Sequence, residues 1–462
     1  MTNKNNEFSI KAISPIDGRY SSQIDQEINN INSEYGLIKK RLYVEIKWFI
    51  FLSSLKPIKK KFGLSISEKD YLLKIDKNFD IKDALKIKDI EKITNHDVKS
   101  VEYFLKDKFD KHKTLKNKKE LIHFCATSED INNISYALMF NDSRNILLKK
   151  LNDLCKIIKK YERKYADTAM LSRTHGQKAT PTTFGKELKV YTSRLDKQSL
   201  FMKKRNVFAK MNGAVGNYNA HHFVLPEIKW DIETNKFLKS IGLKQNQFTT
   251  QIENHDWLAE SLNDITMISN ILLDFSKDMW IYIMLDYIKQ KNIKSEVGSS
   301  TMPHKVNPIN FENAEGNLEI TTALSQSISK KLMSSRLQRD LTDSTVLRNL
   351  GVIYAHFYIS ISSLIKGMNK IDINILKINE DLNSSWEILA EPIMTVMRYH
   401  NVDNSYDIIK QATRGKEINQ EVIKDIINKS DLKKTIKDKL LKLEPKDYIG
   451  LAKKLTTKKT KR

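Results

Sequence analysis

An all-α fold organised around unusually long helices is what this sequence predicts, on three observations. Glycine and proline number only 14 and 8 in 462 residues, about 5% where roughly 12% is ordinary, so the chain has few places to turn. Apolar residues recur at helical spacing through stretches of about thirty residues, beyond the ordinary length of a globular helix. Hydrophobic residues at 40% suffice for a large core, and no internal repeat, Gly-Ser linker, Rossmann or phosphate-loop glycine pattern breaks the helical texture.

Taken in order, residues 1–116 carry short helical patterns interrupted by Ser14-Pro15 and Asn95-His96-Asp97, and form a first helical domain. The texture changes at Thr127-Ser128-Glu129-Asp130, whose hydroxyl and carboxylate oxygens suit the free amides of a first helical turn. Ile134, Leu138, Ile146, Leu147, Leu151, Leu154, Ile158 and Tyr161 then follow at helical spacing. Thr180-Pro181 reads as a cap with proline at the first helical position, opening a helix that runs toward Arg205. Leu258, Leu262, Ile265, Ile268, Leu272, Phe275, Met279 and Ile283 make another long stripe, and further ones follow Asn310 and Ser344. Residues 117–368 thus read as a central bundle of long helices, whose repeated apolar stripes predict oligomerisation. From about Ile371 the helices are shorter and more charged, giving a third helical domain over 369–462.

The formal net charge of +23 invites a nucleic-acid reading, but the lysines alternate with Asp, Glu and Asn instead of clustering, which favours a solvated surface. The N-terminal segment lacks the apolar core of a secretory signal, and no apolar run reaches the length of a membrane span. Cys125 and Cys155 offer neither a disulfide framework nor zinc spacing. A cytoplasmic protein with no metal or organic cofactor is the expectation.

Chemistry concentrates in Gly298-Ser299-Ser300-Thr301-Met302-Pro303-His304-Lys305-Val306-Asn307-Pro308. Two hydroxyls follow a hinge-capable glycine, a lysine and an amide come next, and two prolines restrict the path. This is an oxyanion-stabilising set on a segment able to move, although any single Ser-Ser or Lys-x-Asn would read as a polar turn.

The string resembles the signature of the fumarase/aspartase superfamily, whose members eliminate fumarate from succinyl-type substrates. Five further strings share the resemblance in family order: residues 14–20, 94–98, 127–133, 173–177 and 339–348. Together they are similar to the long bacterial branch that acts on succinylated purine nucleotides. The resemblance implies a three-domain fold with a long central bundle and a homotetramer whose active sites are shared between chains. It also implies cleavage that releases AMP and fumarate, and a second, parallel cleavage in purine synthesis.

By the same resemblance Ser299 is the general base, and Lys305 and Asn307 lower its pKa. Ser300 and Thr301 donate to substrate carboxylates, and Val306 also contacts the substrate. His175 is the general acid, oriented by Glu312. His96, with Asn95 and Asp97, lies on the phosphate or carboxylate side. Thr127, Ser128 and Gln251 contact the succinyl carboxylates, and Asn313 the base or the loop. Arg19 with Tyr20, and Arg339 with Ser344, Thr345, Val346, Leu347 and Arg348, clamp phosphate and ribose, a task for which guanidinium geometry is suited. Lys178 and Asn254 stand where the family pattern has proline, which loosens two turns without removing a reacting group. His221, His222, His255 and His356 are taken as structural, or as acting at most behind the site.

Overall fold

The computed structural model describes residues 9–291, 302, 305–415 and 418–458. The dominant elements are the helices Ser128–Lys164, Phe184–Lys204, Asp256–Met284, Ile309–Leu332 and Leu350–Asn369. The stripes read from sequence are what these helices bury: Ile134, Leu147, Leu151, Leu154 and Ile158 on the first, and Leu258 through Met279 on the third. Glycine has a visible use at Gly185, where an added Cβ would lie 2.4 Å from the carbonyl oxygen of Glu162, so only glycine permits this approach of the 184–204 and 128–164 helices. Past 370 the helices shorten, and Ile388, Ile393, Met397, Ile423 and Ile427 close a core of their own with Leu171.

The described residues contain three two-stranded ladders. One corrects a boundary. The helix expected from Thr180-Pro181 begins at Phe184, and residues Gln177–Thr183 instead form a strand antiparallel to Ala169–Thr174. The register shifts between Met170 and Ser172, opposite the stretch that holds Pro181, and a bulge is where a strand tolerates a residue without an N–H. The hydroxyl that caps the helix is Thr183, accepting the amide of Lys186 at 3.2 Å.

The chain groups into two compact units. One comprises residues 1–150, 198–270 and 317–360, the other 151–197, 271–316 and 361–462, and each of the five long helices contributes residues to both. No helix among the described residues is long and apolar enough to cross a membrane.

Buried charge appears already in the first unit. Glu68 closes a capping box with Ser65 and also accepts from Thr114 Oγ1 at 2.7 Å and Lys118 Nζ at 2.8 Å. Burial alone would raise this carboxyl, yet Lys118, the Ser65 amide and Thr114 bring it from 4.5 to about 2. A depressed carboxyl stabilises the fold above its unfolded pKa and loses that contribution as pH falls through the folded one. Glu68→Gln is therefore expected to cost about 1–3 kcal/mol near neutrality, with the gap to the parent protein narrowing from pH 4.5 toward 2. Thermal melts across that range check it.

Candidate active site

In the first unit the site begins at a two-residue break between helices. Asn95, left-handed at φ 50°, ends the Ile81–Thr94 helix, and His96 caps the Asp97–Asp110 helix with its Nδ1 accepting the Lys99 amide at 3.2 Å. With Nδ1 committed as acceptor, a neutral ring carries its hydrogen on Nε2, a donor free to meet an anion. Asp97 is gripped by Arg41 at 2.5 Å and by Arg348 at 3.5 Å, and Arg348 also reaches Glu34 at 2.8 Å. Burial would raise the Asp97 carboxyl, but the Arg41 guanidinium, the Val98 amide and Arg348 hold it below the usual range. Arg41 Nε donates to Asn132 at 2.8 Å, which ties this cluster to the first turns of the 128–164 helix.

That helix starts as its sequence suggests. Asp130 reaches back to accept the Thr127 amide at 2.9 Å. The same carboxylate is fully buried against fully buried Lys210 at 2.6 Å, and it accepts the amides of Asn212 at 3.2 Å and Gly213 at 3.1 Å. Lys210 Nζ also donates to the Gly213 carbonyl at 3.1 Å, and Asn133 brackets the Lys210 backbone on both sides. An ion pair out of water is tolerated only when its remaining hydrogen-bonding capacity is filled in this way. Thr127 and Ser128 thus sit half-buried on a rigid base.

Arg339 joins the group by donating to Gln251 Oε1 at 3.2 Å while lying 3.9 Å from Glu129. Gln251 spends its own amide on the Ala214 carbonyl. Ser344 is fixed through its amide by Asp343 Oδ1 at 2.6 Å. Behind these residues Glu129, His255 and Asp343 are buried, with one ligand-capable atom of each within 4.8 Å of the others. Burial, reinforced by Asp343 and opposed by His255 and Arg339, pushes the Glu129 carboxyl up to about 7. For His255, burial works downward but Asp343, Glu253 and Glu129 carry the net direction upward. This is the set among the described residues with metal-ligand potential, and the Arg339 guanidinium beside it opposes a cation. Arg19 is exposed, with Tyr20 anchored through its amide to Pro15 O at 2.8 Å. Thr345 is exposed, Val346 half-buried and Leu347 buried.

In the second unit His175 and Gly176 form the whole loop of the 169–183 hairpin, since Thr174 pairs with Gln177. Their φ values of 53° and 75° are both positive, the type I′ geometry that matches strand twist. The imidazole is therefore exposed at a hairpin tip, and not just ahead of the helix start read at Thr180-Pro181. Lys178 pairs with Glu387 at 3.3 Å, Arg173 lies 3.8 Å from Asp381, and Thr180 donates to Glu391, so the hairpin is braced against the 375–399 segment. Among the described residues no hydrogen bond joins His175 to Glu312, whose Oε1 accepts the Trp280 indole at 3.1 Å. Lys305 is exposed, with its amide on Met302 O at 3.0 Å, and the Val306 carbonyl accepts from Gln290 at 2.8 Å. Asn307 is half-buried, and Asn313 accepts from Ser363 at 2.8 Å. Ser299, Ser300 and Thr301 lie outside the described residues.

Sequence reasoning passed over Arg41 and Lys210, and read Asp130 only as part of a helix start and Asp343 only as part of the 339–348 string. A signal existed for one of them: Lys210 stands between Ala209 and Met211, and a buried lysine needs a carboxylate partner.

The family description "Lyase" matches residues 18–320, and "Adenylosuccinate lyase C-terminal" matches residues 335–449. An adenylosuccinate lyase from Legionella pneumophila (strain Corby) is 47% identical over 96% of this chain and 97% of its own length. The chain belongs to the adenylosuccinate lyase family. The adenylosuccinate lyase of Escherichia coli (strain K12) is 45% identical over the same shares, and that of Haemophilus influenzae 44% over 97% and 99%. Solved structures share the fold at lower identity. The 3-carboxy-cis,cis-muconate lactonizing enzyme of Pseudomonas putida aligns with a TM-score of 0.73 at 17% identity, covering 94% of this chain and 95% of that one. A fumarate lyase from Mesorhizobium sp. BNC1 gives 0.72 at 17%, covering 94% and 96%. Membership of the adenylosuccinate lyase family accounts for the all-α architecture and makes the strings at 94–98, 127–133 and 339–348, which the first unit gathers, parts of a lyase.

Proposed function

We infer that this chain eliminates fumarate from adenylosuccinate, giving AMP, and from the succinyl-carboxamide ribonucleotide of purine synthesis, giving the free carboxamide. The observation that carries this is the 47% identity to an adenylosuccinate lyase along 96% of the chain.

The reaction removes a proton from the carbon beside a succinyl carboxylate and expels the purine nitrogen from the neighbouring carbon. The C–H and C–N bonds break, a C=C bond forms, and the nitrogen gains a proton. The barrier is the carbanion, whose charge spreads into the adjacent carboxylate, so cations and donors are needed there. Ser299 takes the proton as an alkoxide favoured by Lys305 and Asn307, while Ser300, Thr127, Ser128 and Gln251 hold the succinyl carboxylates. His175 gives its proton to the departing nitrogen, and an exposed imidazole at a hairpin tip suits delivery into a site completed by another chain. Glu312 is the carboxylate assigned to that imidazole, and Asn313 is assigned to contact the base or the catalytic segment. His96 and Arg19, with Tyr20, Asn95 and the 339–348 segment, meet the nucleotide phosphate and ribose.

A homotetramer in the cytoplasm is part of this reading. Val190, Leu200, Phe201, Met267, Trp280, Ile281 and Ile320 are exposed on the long helices, an apolar surface that a bundle of several chains would cover. Incubating the purified protein with adenylosuccinate tests the reaction, with AMP and fumarate expected in equal amounts. Absence of turnover, alongside activity on a succinyl compound lacking phosphate, would move the assignment elsewhere in the superfamily.

A further inference from the structure

We propose that His255 is a positioning residue for substrate binding: its buried imidazole, set between Glu129 and Asp343, fixes the 127–128 helix start relative to the 339–348 segment. The proposal rests on the functional reading above, in which these two segments bind the two ends of one substrate.

The three side chains come from separate parts of the chain, and His255, Glu129 and Asp343 are 3%, 2% and 6% exposed. His255 Nε2 lies 4.0 Å from Asp343 Oδ2, and Nδ1 lies 3.9 Å from Glu253 Oε2. Each carboxylate is one residue from a group assigned to substrate. Glu129 follows Ser128, and Asp343 precedes Ser344 and accepts its amide at 2.6 Å. Arg339 stands on the other side of Glu129 at 3.9 Å while donating to Gln251 at 3.2 Å.

The backbone at His255 is consistent with a placed side chain. It takes φ 62°, a left-handed conformation that a residue with a Cβ adopts only at a cost. The turn persists because Glu253 Oε2 accepts the His255 amide at 2.8 Å and the His255 carbonyl accepts from Leu258 and Ala259 as the 256–284 helix begins. Glu253 is itself satisfied by Trp257 at 2.9 Å and Asn246 at 2.7 Å, so it braces the turn. Among the described residues no partner within hydrogen-bonding geometry is found for Glu129 Oε1, His255 Nε2 or Asp343 Oδ2, and one ligand-capable atom of each residue lies within 4.8 Å of the others. Without the ring, the buried Glu129 and Asp343 carboxylates would be left near each other, with Arg339 beside Glu129 at 3.9 Å. Arg339 would be drawn from Gln251, or the two segments would part, and either change acts on binding more than on proton transfer.

The test is steady-state kinetics of the full-length protein on adenylosuccinate, with thermal melts, for His255→Gln, Asp343→Asn and the double variant. About a tenfold rise in KM is expected for each single change, with kcat within about threefold. The double variant should also show about tenfold and not about a hundredfold, because the two groups act as one unit. Asp343→Asn changes a single atom and keeps the fold available should His255→Gln not assemble. A KM equal to that of the parent with a lowered melting point would make His255 a packing residue and overturn the proposal, as would multiplicative KM effects. Activity lost to EDTA and restored by a divalent cation would overturn it too, by putting a metal between the same three groups. A parent protein with no turnover at all would instead refute the functional reading.

Discussion

Replacing His175 with asparagine is expected to lower turnover of adenylosuccinate by about 10²–10⁴-fold, the usual contribution of a general acid, without lowering the melting temperature. The contrast follows from where the residue sits. His175 occupies the first position of a type I′ turn with φ 53° and is exposed, so the fold asks of it only a left-handed backbone. Asn-Gly is the pair that this turn favours most, and His175→Asn therefore leaves the hairpin intact or firmer. His175→Ala should lose the same activity with a small added strain, since alanine resists the left-handed region. If sites are shared between chains, mixing subunits of His175→Asn with subunits of Ser299→Ala and reassembling them should restore part of the activity. Full turnover by His175→Asn would remove the imidazole from the reaction.

Lys210→Met is expected to destabilise the first unit by about 3–5 kcal/mol. The methionine fills the space, but Asp130 is left as a fully buried carboxylate without its cation. That carboxylate also holds the amides of Thr127, Asn212 and Gly213, so the loss reaches the helix start that bears Ser128, and KM should rise with the fall in stability. Asp130→Asn combined with Lys210→Met removes both charges and should recover part of the stability while KM stays high. Thermal melts and steady-state kinetics on both variants separate the two effects. A single variant as stable as the parent would show that the pair contributes nothing.

Much of the fold could be read from apolar periodicity. The stripe from Ile134 to Ile158 became one face of the 128–164 helix because i, i+3 and i+4 spacing leaves no other way to bury those side chains together. Thr180-Pro181 misled because threonine before proline has one appearance for a helix cap and for a strand bulge. The true cap, Thr183, lies three residues on, and only pairing with Ala169–Thr174 distinguishes them. The His175-Gly176 turn was also hidden, since histidine is not the residue that advertises a type I′ loop.

At the site, sequence and resemblance named the residue types, but not what each side chain leans on. Asp97 could be named without Arg41, and Ser128 without Lys210, because buried charges look like solvated ones until distant segments meet. His255 shows the same limit: a histidine that reads as structural in sequence lies near two carboxylates from elsewhere in the chain.

In the proposed reaction a serine hydroxyl takes the proton from carbon. The most direct measurement is the ultraviolet absorbance change of adenylosuccinate on conversion to AMP, followed with the parent protein and with Ser299→Ala at equal concentration. A loss of about 10²–10⁴-fold in kcat is expected for Ser299→Ala, with an unchanged oligomeric state. Turnover equal to that of the parent would contradict it.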